Sequence, residues 1–183
     1  LTPFYAQRFA ETGIDISKIK HLEQLKELPF TTKNDLRVSY PDGMMAVPRE
    51  KVVRLHASSG TTGKSTVIFY TKNDIDQWAD QVARGLFAAG IRPSDVFQNM
   101  MGYGLFTGGL GLHYGAEHLG CLVIPTATGN SHKQVELMQD FRATLMHITP
   151  SYSLHLAEIV QNEFGIDPHD LPVKKALLGA EPY

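Results

Sequence analysis

The feature that most constrains the fold is a regular alternation of short apolar segments with longer helical ones in the second part of the chain. Four segments are predicted to be strands: DVFQNMM, CLVIP, TLMHIT and KKALLG. Helices are expected between them, at Phe106–Leu119, Val135–Phe141 and Ser151–Phe164. Strands that alternate with helices need crossover connections, which predicts a parallel sheet with helices on both faces. The predicted fold class is therefore α/β.

The first 50 residues are predicted to be helical and irregular. Short helices are expected at Phe4–Glu11 and His21–Leu28, and a third after FTTKNDL begins, with a threonine of that segment as its cap. This part is expected to lack a core of its own. We expect residues 1–50 to form a helical segment that packs on a main domain of residues 51–183.

Between these parts lies RLHASSGTTGKSTVIFYT, which nearly satisfies the P-loop pattern. GKS at residues 63–65 fits the second half of the pattern, but Ser58 stands where its first Gly is needed. A P-loop opens a helix, whereas STVIFYT is β-branched and aromatic and is predicted to be a strand. We therefore expect an antiparallel hairpin of Lys51–His56 and Thr66–Tyr70 that carries a Gly/Ser/Thr-rich loop.

The composition of this loop nevertheless favours an anion. Its two glycines allow backbone N–H groups to converge as in an anion-binding nest, and five hydroxyls and the ammonium of Lys64 accompany them. An ordinary polar hairpin loop is the alternative. The candidate phosphate-binding residues are Ser58, Ser59, Gly60, Thr61, Thr62, Gly63, Lys64 and Ser65.

Composition argues against several classes of function. The net charge is −2 and no basic run stands out, so no nucleic-acid partner is expected. A single cysteine, Cys121, excludes an internal disulfide and suits a reducing, cytoplasmic location. His113, Glu117 and His118 interrupt the most apolar stretch, residues 104–125, which argues against a membrane helix. The histidines also lack the spacing of a metal site, and none is predicted.

Four motifs in sequence order carry a resemblance to a known family. SSGTTGKST, YGLFTGGLGLHYGAEHLGC, ITPSYSLHL and LLGAEPY together resemble the phenylacetate–CoA ligases of the adenylate-forming acyl-CoA synthetase superfamily. The resemblance runs from about FTTKNDLR to the last residue, and the chain would be less than half of such an enzyme. Two positions depart from the family pattern, because Ser65 replaces a proline and Tyr183 replaces a tryptophan.

The resemblance implies a reaction and roles for particular residues. A carboxylate would attack the α-phosphate of Mg-ATP to give an acyl-adenylate and pyrophosphate, and the thiol of coenzyme A would then displace AMP. Lys64 would stabilise charge on the leaving pyrophosphate. The residues implied beside the adenine are Gly179, Ala180, Glu181 and Pro182, and those implied in an aromatic acid pocket are Tyr103, Gly104, Phe106 and Gly108.

These roles have simpler alternatives. Gly179–Pro182 could be a plain exit from a strand, and the glycines after Tyr103 could serve close packing. The protein could instead be a ligase for another aromatic acid, or a non-catalytic nucleotide-binding module. The resemblance also implies that a Mg²⁺-binding Glu, a ribose-binding Asp and the adenylation Lys lie beyond Tyr183. Residues 1–183 alone are therefore expected to be inactive, and the full-length enzyme is expected to be a homodimer.

Overall fold

A computed structural model describes residues 1–58 and 63–182 of the chain. The chain divides into two compact units, Leu1–Ile75 and Asp76–Tyr183. The first contains the short helices and a hairpin, and the second contains a parallel sheet with helices.

Short helices dominate the start of the first unit. They are the α-helices α1 (Pro3–Thr12) and α2 (Lys33–Val38) and the 3-10 helices Ile16–Lys18, Leu22–Glu27 and Arg49–Lys51. Two of the predicted α-helices are confirmed, and the segment predicted at His21–Leu28 is a 3-10 helix. In α2, Thr32 and Asp35 each accept a hydrogen bond from the other's backbone N–H, which satisfies two donors that the helix leaves unpaired.

The predicted hairpin is confirmed. Strand β1 (Val52–Ala57) pairs antiparallel with β2 (Val67–Thr71), and Ala57 lies opposite Val67. The loop therefore connects two strands, as the β-branched sequence after it predicted, and is not followed by a helix as a P-loop would be.

The second unit alternates helices and strands as predicted. Helix α3 (Lys72–Ala88) leads into it from the hairpin, and the elements that follow are β3 (Val96–Asn99), α4 (Gly108–Leu119), β4 (Leu122–Ile124), α5 (Ser131–Asp140), β5 (Leu145–Ile148), α6 (Pro150–Asn162) and β6 (Lys175–Leu178). The strands form a parallel sheet in the order β4-β3-β5-β6, with Phe97 beside both Val123 and Leu145. The predicted α/β class is confirmed.

Helices cover both faces of this sheet. Alternate residues of each strand point to opposite sides, so each face has apolar side chains for a helix layer to bury. On one face Phe97 and Leu145 pack in a core cluster with residues of α3 and α4, including Leu86 and Ala116. On the other face Ile148 belongs to a second cluster, which the buried residues of α5 and α6 complete. The sheet is thus the middle of three layers.

Two glycines of α4 allow that helix to approach α3 closely. A Cβ atom added to Gly111 would lie 2.5 Å from the Trp78 ring, and one added to Gly115 would lie 2.2 Å from Val82 Cγ1. For these two glycines, close packing is therefore sufficient explanation. In contrast, a Cβ atom on Gly108 would meet no atom within 4 Å.

We expect Gly115→Ala to destabilise the full-length protein by about 1–3 kcal/mol, the usual cost of adding an atom to a filled interior. Gly108→Ala is the matched control, since it adds the same methyl group to open space in the same helix. Chemical denaturation measures both. Equal free energies of unfolding for Gly115→Ala and the parent protein would contradict the close approach of α3 and α4.

The ion pair of Asp95 with Lys175 lies at the amino end of the sheet, where its contacts connect three strands. Asp95, which is 7% exposed and precedes β3, accepts from Lys175 Nζ at 2.6 Å, from Thr144 Oγ1 at 2.8 Å and from the Arg92 N–H at 2.7 Å. Burial raises the pKa of Asp95, but the hydrogen bonds and the charge of Lys175 outweigh it and hold the pKa below its ordinary value. These contacts join β6 and the residue before β5 to β3.

This pKa shift makes the fold sensitive to acid. Because the pKa of Asp95 is lower in the folded state than in the unfolded state, its stabilisation is complete above the unfolded value of about 3.9 and is lost as the pH falls through the folded value. We expect the free energy of unfolding of Asp95→Asn to fall less steeply below about pH 4 than that of the parent. Asp140→Asn, at an exposed position of α5, serves as the control. Identical slopes for Asp95→Asn and the parent would exclude this role.

Candidate functional site

The carboxyl edge of the parallel sheet contains a point where the strand order changes direction. After β3 the chain crosses to β4 on one side, and then to β5 on the other side of β3. Ligands of open α/β sheets bind in the crevice outside such a point. The segments that leave β3 and β5 here are residues 100–107 and residue 149, so the chemistry of their side chains defines the candidate site.

Asn99 is the centre of a buried polar cluster at this point. Its Nδ2 donates to the Gly109 carbonyl and to Tyr103 Oη, both at 2.8 Å. Its Oδ1 accepts from the Met101 N–H at 3.3 Å and lies 3.0 Å from His147 Nδ1. Asn99 and His147 are direct partners in the pairing of β3 with β5, which explains how residues distant in sequence meet.

From Tyr103 the hydrogen bonds continue to the protein surface. Tyr103 Oη lies 3.1 Å from His113 Nδ1, and His113 Nε2 lies 3.1 Å from a carboxylate oxygen of Glu117 one turn later in α4. Glu117 is exposed, so the chain of polar groups runs from the sheet to solvent along α4. The sequence had suggested no such role for His113 or Glu117, which it identified as interruptions of an apolar stretch, with the histidine also rejected as a metal ligand.

Two backbone groups fix the orientation of the Asn99 amide and the tautomer of His147. The Gly109 carbonyl only accepts and the Met101 N–H only donates, so the Asn99 amide has a single orientation that suits both. His147 Nδ1 must then carry the hydrogen that Asn99 Oδ1 accepts. Tyr103 Oη accepts from Asn99, and its contact with His113 Nδ1 continues the chain to Glu117 through His113 Nε2.

Burial keeps the inner end of the chain neutral. Desolvation lowers the pKa of His147 to about 4, so its ring is uncharged at neutral pH. Desolvation also raises the pKa of Tyr103, although the hydrogen bond from Asn99 opposes the shift. A neutral His147 offers one donor, which Asn99 accepts.

The four residues predicted to line an acid pocket lie in one segment after β3. Tyr103 is half-buried and its hydroxyl is engaged by Asn99 and His113. Phe106 is 69% exposed, and a Cβ atom added to Gly104 or Gly108 would meet nothing within 4 Å. The structure therefore brings one fixed aromatic ring, one exposed ring and two open glycine positions to the carboxyl edge of the sheet.

The predicted adenine segment, Gly179–Pro182, follows β6 and lies at the same edge, two strands away from β3. Glu181 accepts a hydrogen bond from the backbone N–H of Ser151 in the first turn of α6. Hydrogen bonds from Ser151 and from Thr149 hold the pKa of Glu181 below its ordinary value, although burial acts in the opposite direction. Glu181 thus caps α6, and a Cβ atom added to Gly179 would face open space.

The predicted phosphate loop belongs to the first unit, and part of it can be described. The Ser58 N–H donates to the Thr66 carbonyl and its hydroxyl accepts from the Thr66 N–H, so this residue closes the base of the loop. Gly63 has a φ of 137°, Lys64 is exposed with its Nζ 5.5 Å from the ring of Tyr40, and Ser65 follows partly buried. The predictions for Ser59, Gly60, Thr61 and Thr62 lie outside the described residues. A glycine in this conformation beside an exposed ammonium fits a phosphate group.

Within residues 1–58 and 63–182, no three His, Cys, Asp or Glu side chains are arranged to hold a metal ion. His118 lies 3.8 Å from Asp80, and the buried thiol of Cys121 donates to the Arg92 carbonyl.

Among the helices of the same described ranges, none is both long enough and apolar enough to cross a membrane.

Comparison with known proteins relates the chain to one group of ligases. It is 57% identical over 181 residues to the phenylacetate-coenzyme A ligase of Pseudomonas putida, and 51% identical to that of Aromatoleum evansii. These matches cover 99% of this chain and 41% of each relative. The predicted relationship to phenylacetate–CoA ligases is confirmed. No family model matches the chain.

A solved structure supports the fold. The 2-hydroxyisobutyryl-CoA ligase, in complex with 2-HIB-AMP and CoA, superposes with a TM-score of 0.85 at 30% identity. The match covers 99% of this chain and 40% of that one. The chain thus spans about two-fifths of the length of the ligases that it resembles.

The exposure of Phe106 predicts that its side chain contributes little to stability. We expect Phe106→Ala to change the free energy of unfolding by less than about 0.5 kcal/mol. Phe97→Ala, at a fully buried position of β3, is the matched control and should cost about 3–5 kcal/mol. Thermal and chemical denaturation of the full-length variants test this, and a cost at Phe106 close to that at Phe97 would place Phe106 in the core.

Proposed function

We propose that this chain is part of an ATP-dependent ligase that converts phenylacetate and coenzyme A to phenylacetyl-CoA, AMP and pyrophosphate. The observation that carries the proposal is 57% identity to a phenylacetate-coenzyme A ligase across 99% of the chain. The arrangement at the carboxyl edge of the sheet supports it, because aromatic and open glycine positions meet at the point where the strand order changes.

The proposed reaction has two steps. The carboxylate of the acid attacks the α-phosphate of ATP, which forms an acyl-adenylate and releases pyrophosphate. The thiol of coenzyme A then attacks the acyl carbon and releases AMP. Lys64 and the loop residues 58–65 are assigned to the β- and γ-phosphates, where a cation stabilises the charge that develops on the leaving group.

The acid and adenine positions are assigned to the second unit. Tyr103 and Phe106 provide apolar ring surface for an aromatic acid, and Gly104 and Gly108 leave space for it beside the backbone. Gly179–Pro182 are assigned to the adenine, since they follow β6 at the same edge and Gly179 is open.

Further properties of the full-length enzyme belong to the proposal. Mg²⁺ would accompany the phosphates of ATP and neutralise part of their charge, and no ligand for it is assigned among the described residues. We also propose a cytoplasmic homodimer, in which residues 1–50 pack on a domain that begins at residue 51. The buried, unpaired Cys121 is consistent with a reducing compartment.

The test of the function is thioester formation by the full-length protein. ATP, coenzyme A and one acid at a time are supplied from a panel of phenylacetate, hydroxyphenylacetate, indoleacetate and 2-hydroxyisobutyrate. The proposal expects the highest kcat/KM with phenylacetate. A higher kcat/KM with another aromatic acid would identify that acid as the substrate instead of phenylacetate. Absence of thioester formation with every acid of the panel would overturn the enzymatic function.

We expect Lys64→Ala to slow adenylation by about 10²–10³-fold, as removal of one preorganised donor does in comparable sites. Because Lys64 is exposed, the free energy of unfolding should stay within about 0.5 kcal/mol of the parent value. ATP–pyrophosphate exchange measures the step, and Lys51→Ala, an exposed lysine before the same hairpin, is the control. An ATP–pyrophosphate exchange rate of Lys64→Ala within a few-fold of the parent rate would show that Lys64 does not act on the phosphates.

A further inference from the structure

The side chain of Asn99 forms hydrogen bonds with both ends of the segment that carries the proposed acid pocket. Asn99 Nδ2 donates to Tyr103 Oη at the beginning of the segment and to the Gly109 carbonyl at its end, both at 2.8 Å. The residues between these points include Gly104, Phe106 and Gly108. The amide of Asn99 therefore sets where this segment lies against the carboxyl edge of the sheet.

His147 provides the shorter of the two hydrogen bonds that hold the oxygen end of that amide. Asn99 is fully buried, and its Oδ1 accepts from the Met101 N–H at a long 3.3 Å and from His147 Nδ1 at 3.0 Å. His147 is 6% exposed and its ring stacks with Phe97 at a centroid distance of 6.3 Å. Its position is thus fixed by the sheet and not by the segment that it supports.

We propose that His147 is a positioning residue for acid binding, which acts through Asn99 to hold Tyr103 and Gly109 in place. The inference rests on the proposed function, since it concerns the same acid site. The contribution of His147 in this role is the Nδ1 hydrogen that Asn99 Oδ1 accepts. Without that hydrogen Asn99 Oδ1 keeps only the long hydrogen bond from the Met101 N–H, so the amide that holds both ends of the segment is fixed less firmly.

The role requires a specific form of the histidine ring. Asn99 Oδ1 accepts only if His147 carries its hydrogen on Nδ1, and burial keeps the ring uncharged at neutral pH. Among substitutions, asparagine can place an amide N–H near the position of Nδ1, whereas leucine retains bulk without a donor. The pair His147→Asn and His147→Leu therefore separates the hydrogen bond from the volume of the side chain.

The kinetic test uses the full-length enzyme and compares the two variants for each substrate. We expect His147→Leu to raise the KM for phenylacetate about tenfold, the order expected for loss of one buried hydrogen bond, with the KM for ATP changed about twofold or less. His147→Asn should restore most of the acid affinity. His169→Leu, at an exposed position in the 3-10 helix Pro168–Asp170, is the control.

Several outcomes would overturn the proposal. They are an unchanged KM for phenylacetate in His147→Leu, equal increases in KM for the acid and for ATP, and no difference between the asparagine and leucine variants. If the parent enzyme forms no thioester with any acid of the panel, the proposed function fails, and the positioning role fails with it. If the parent is active and only the variants behave against expectation, the proposed function stands and the role of His147 does not.

A second measurement covers the case in which His147→Leu does not fold. Nitrogen NMR of the parent enzyme labelled at histidine reports which ring nitrogen carries the hydrogen. We expect the His147 signal at pH 7 to be that of a neutral ring protonated on Nδ1. A ring protonated on Nε2, or on both nitrogens, would overturn the assignment whatever the variants do.

Discussion

The structure at the carboxyl edge of the sheet depends on one constraint, which is that the buried amide of Asn99 must satisfy both of its ends. An amide that is removed from water without partners costs free energy, so its surroundings are selected for matching donors and acceptors. Here the Gly109 carbonyl, the Met101 N–H and His147 provide them. The orientation of Asn99 makes Tyr103 Oη an acceptor, and polar contacts continue from Tyr103 to His113 along α4.

The sequence predicted the elements well because their periodicity is a local property. The hairpin, the parallel sheet and the helices on its two faces follow from patterns within 10 to 20 neighbouring residues. The Asn99–His147 pair was missed because it arises from the register between β3 and β5, which brings together residues separated by 48 positions. The Asp95–Lys175 ion pair, across 80 positions, escaped prediction for the same reason.

The glycines after β3 illustrate a different limit of sequence reasoning. The sequence suggested two uses for them, close packing and space for a substrate, and did not show which glycine serves which use. The structure assigns Gly111 and Gly115 to contact with α3, because a methyl group at either position would overlap Trp78 or Val82. Gly104 and Gly108 face open space, so the unfilled positions lie at the beginning of the stretch, ahead of the residues of α4 that pack on α3.

The N-terminus of α6 bears on where a phosphate can bind. Helix N-termini at the carboxyl edge of a parallel sheet are common phosphate sites, because their N–H groups have no partners within the helix. In this protein the Glu181 carboxylate accepts from the Ser151 N–H at that position. A phosphate there would have to displace a carboxylate and would meet its negative charge. The contact between Glu181 and Ser151 thus disfavours an anion at this helix N-terminus.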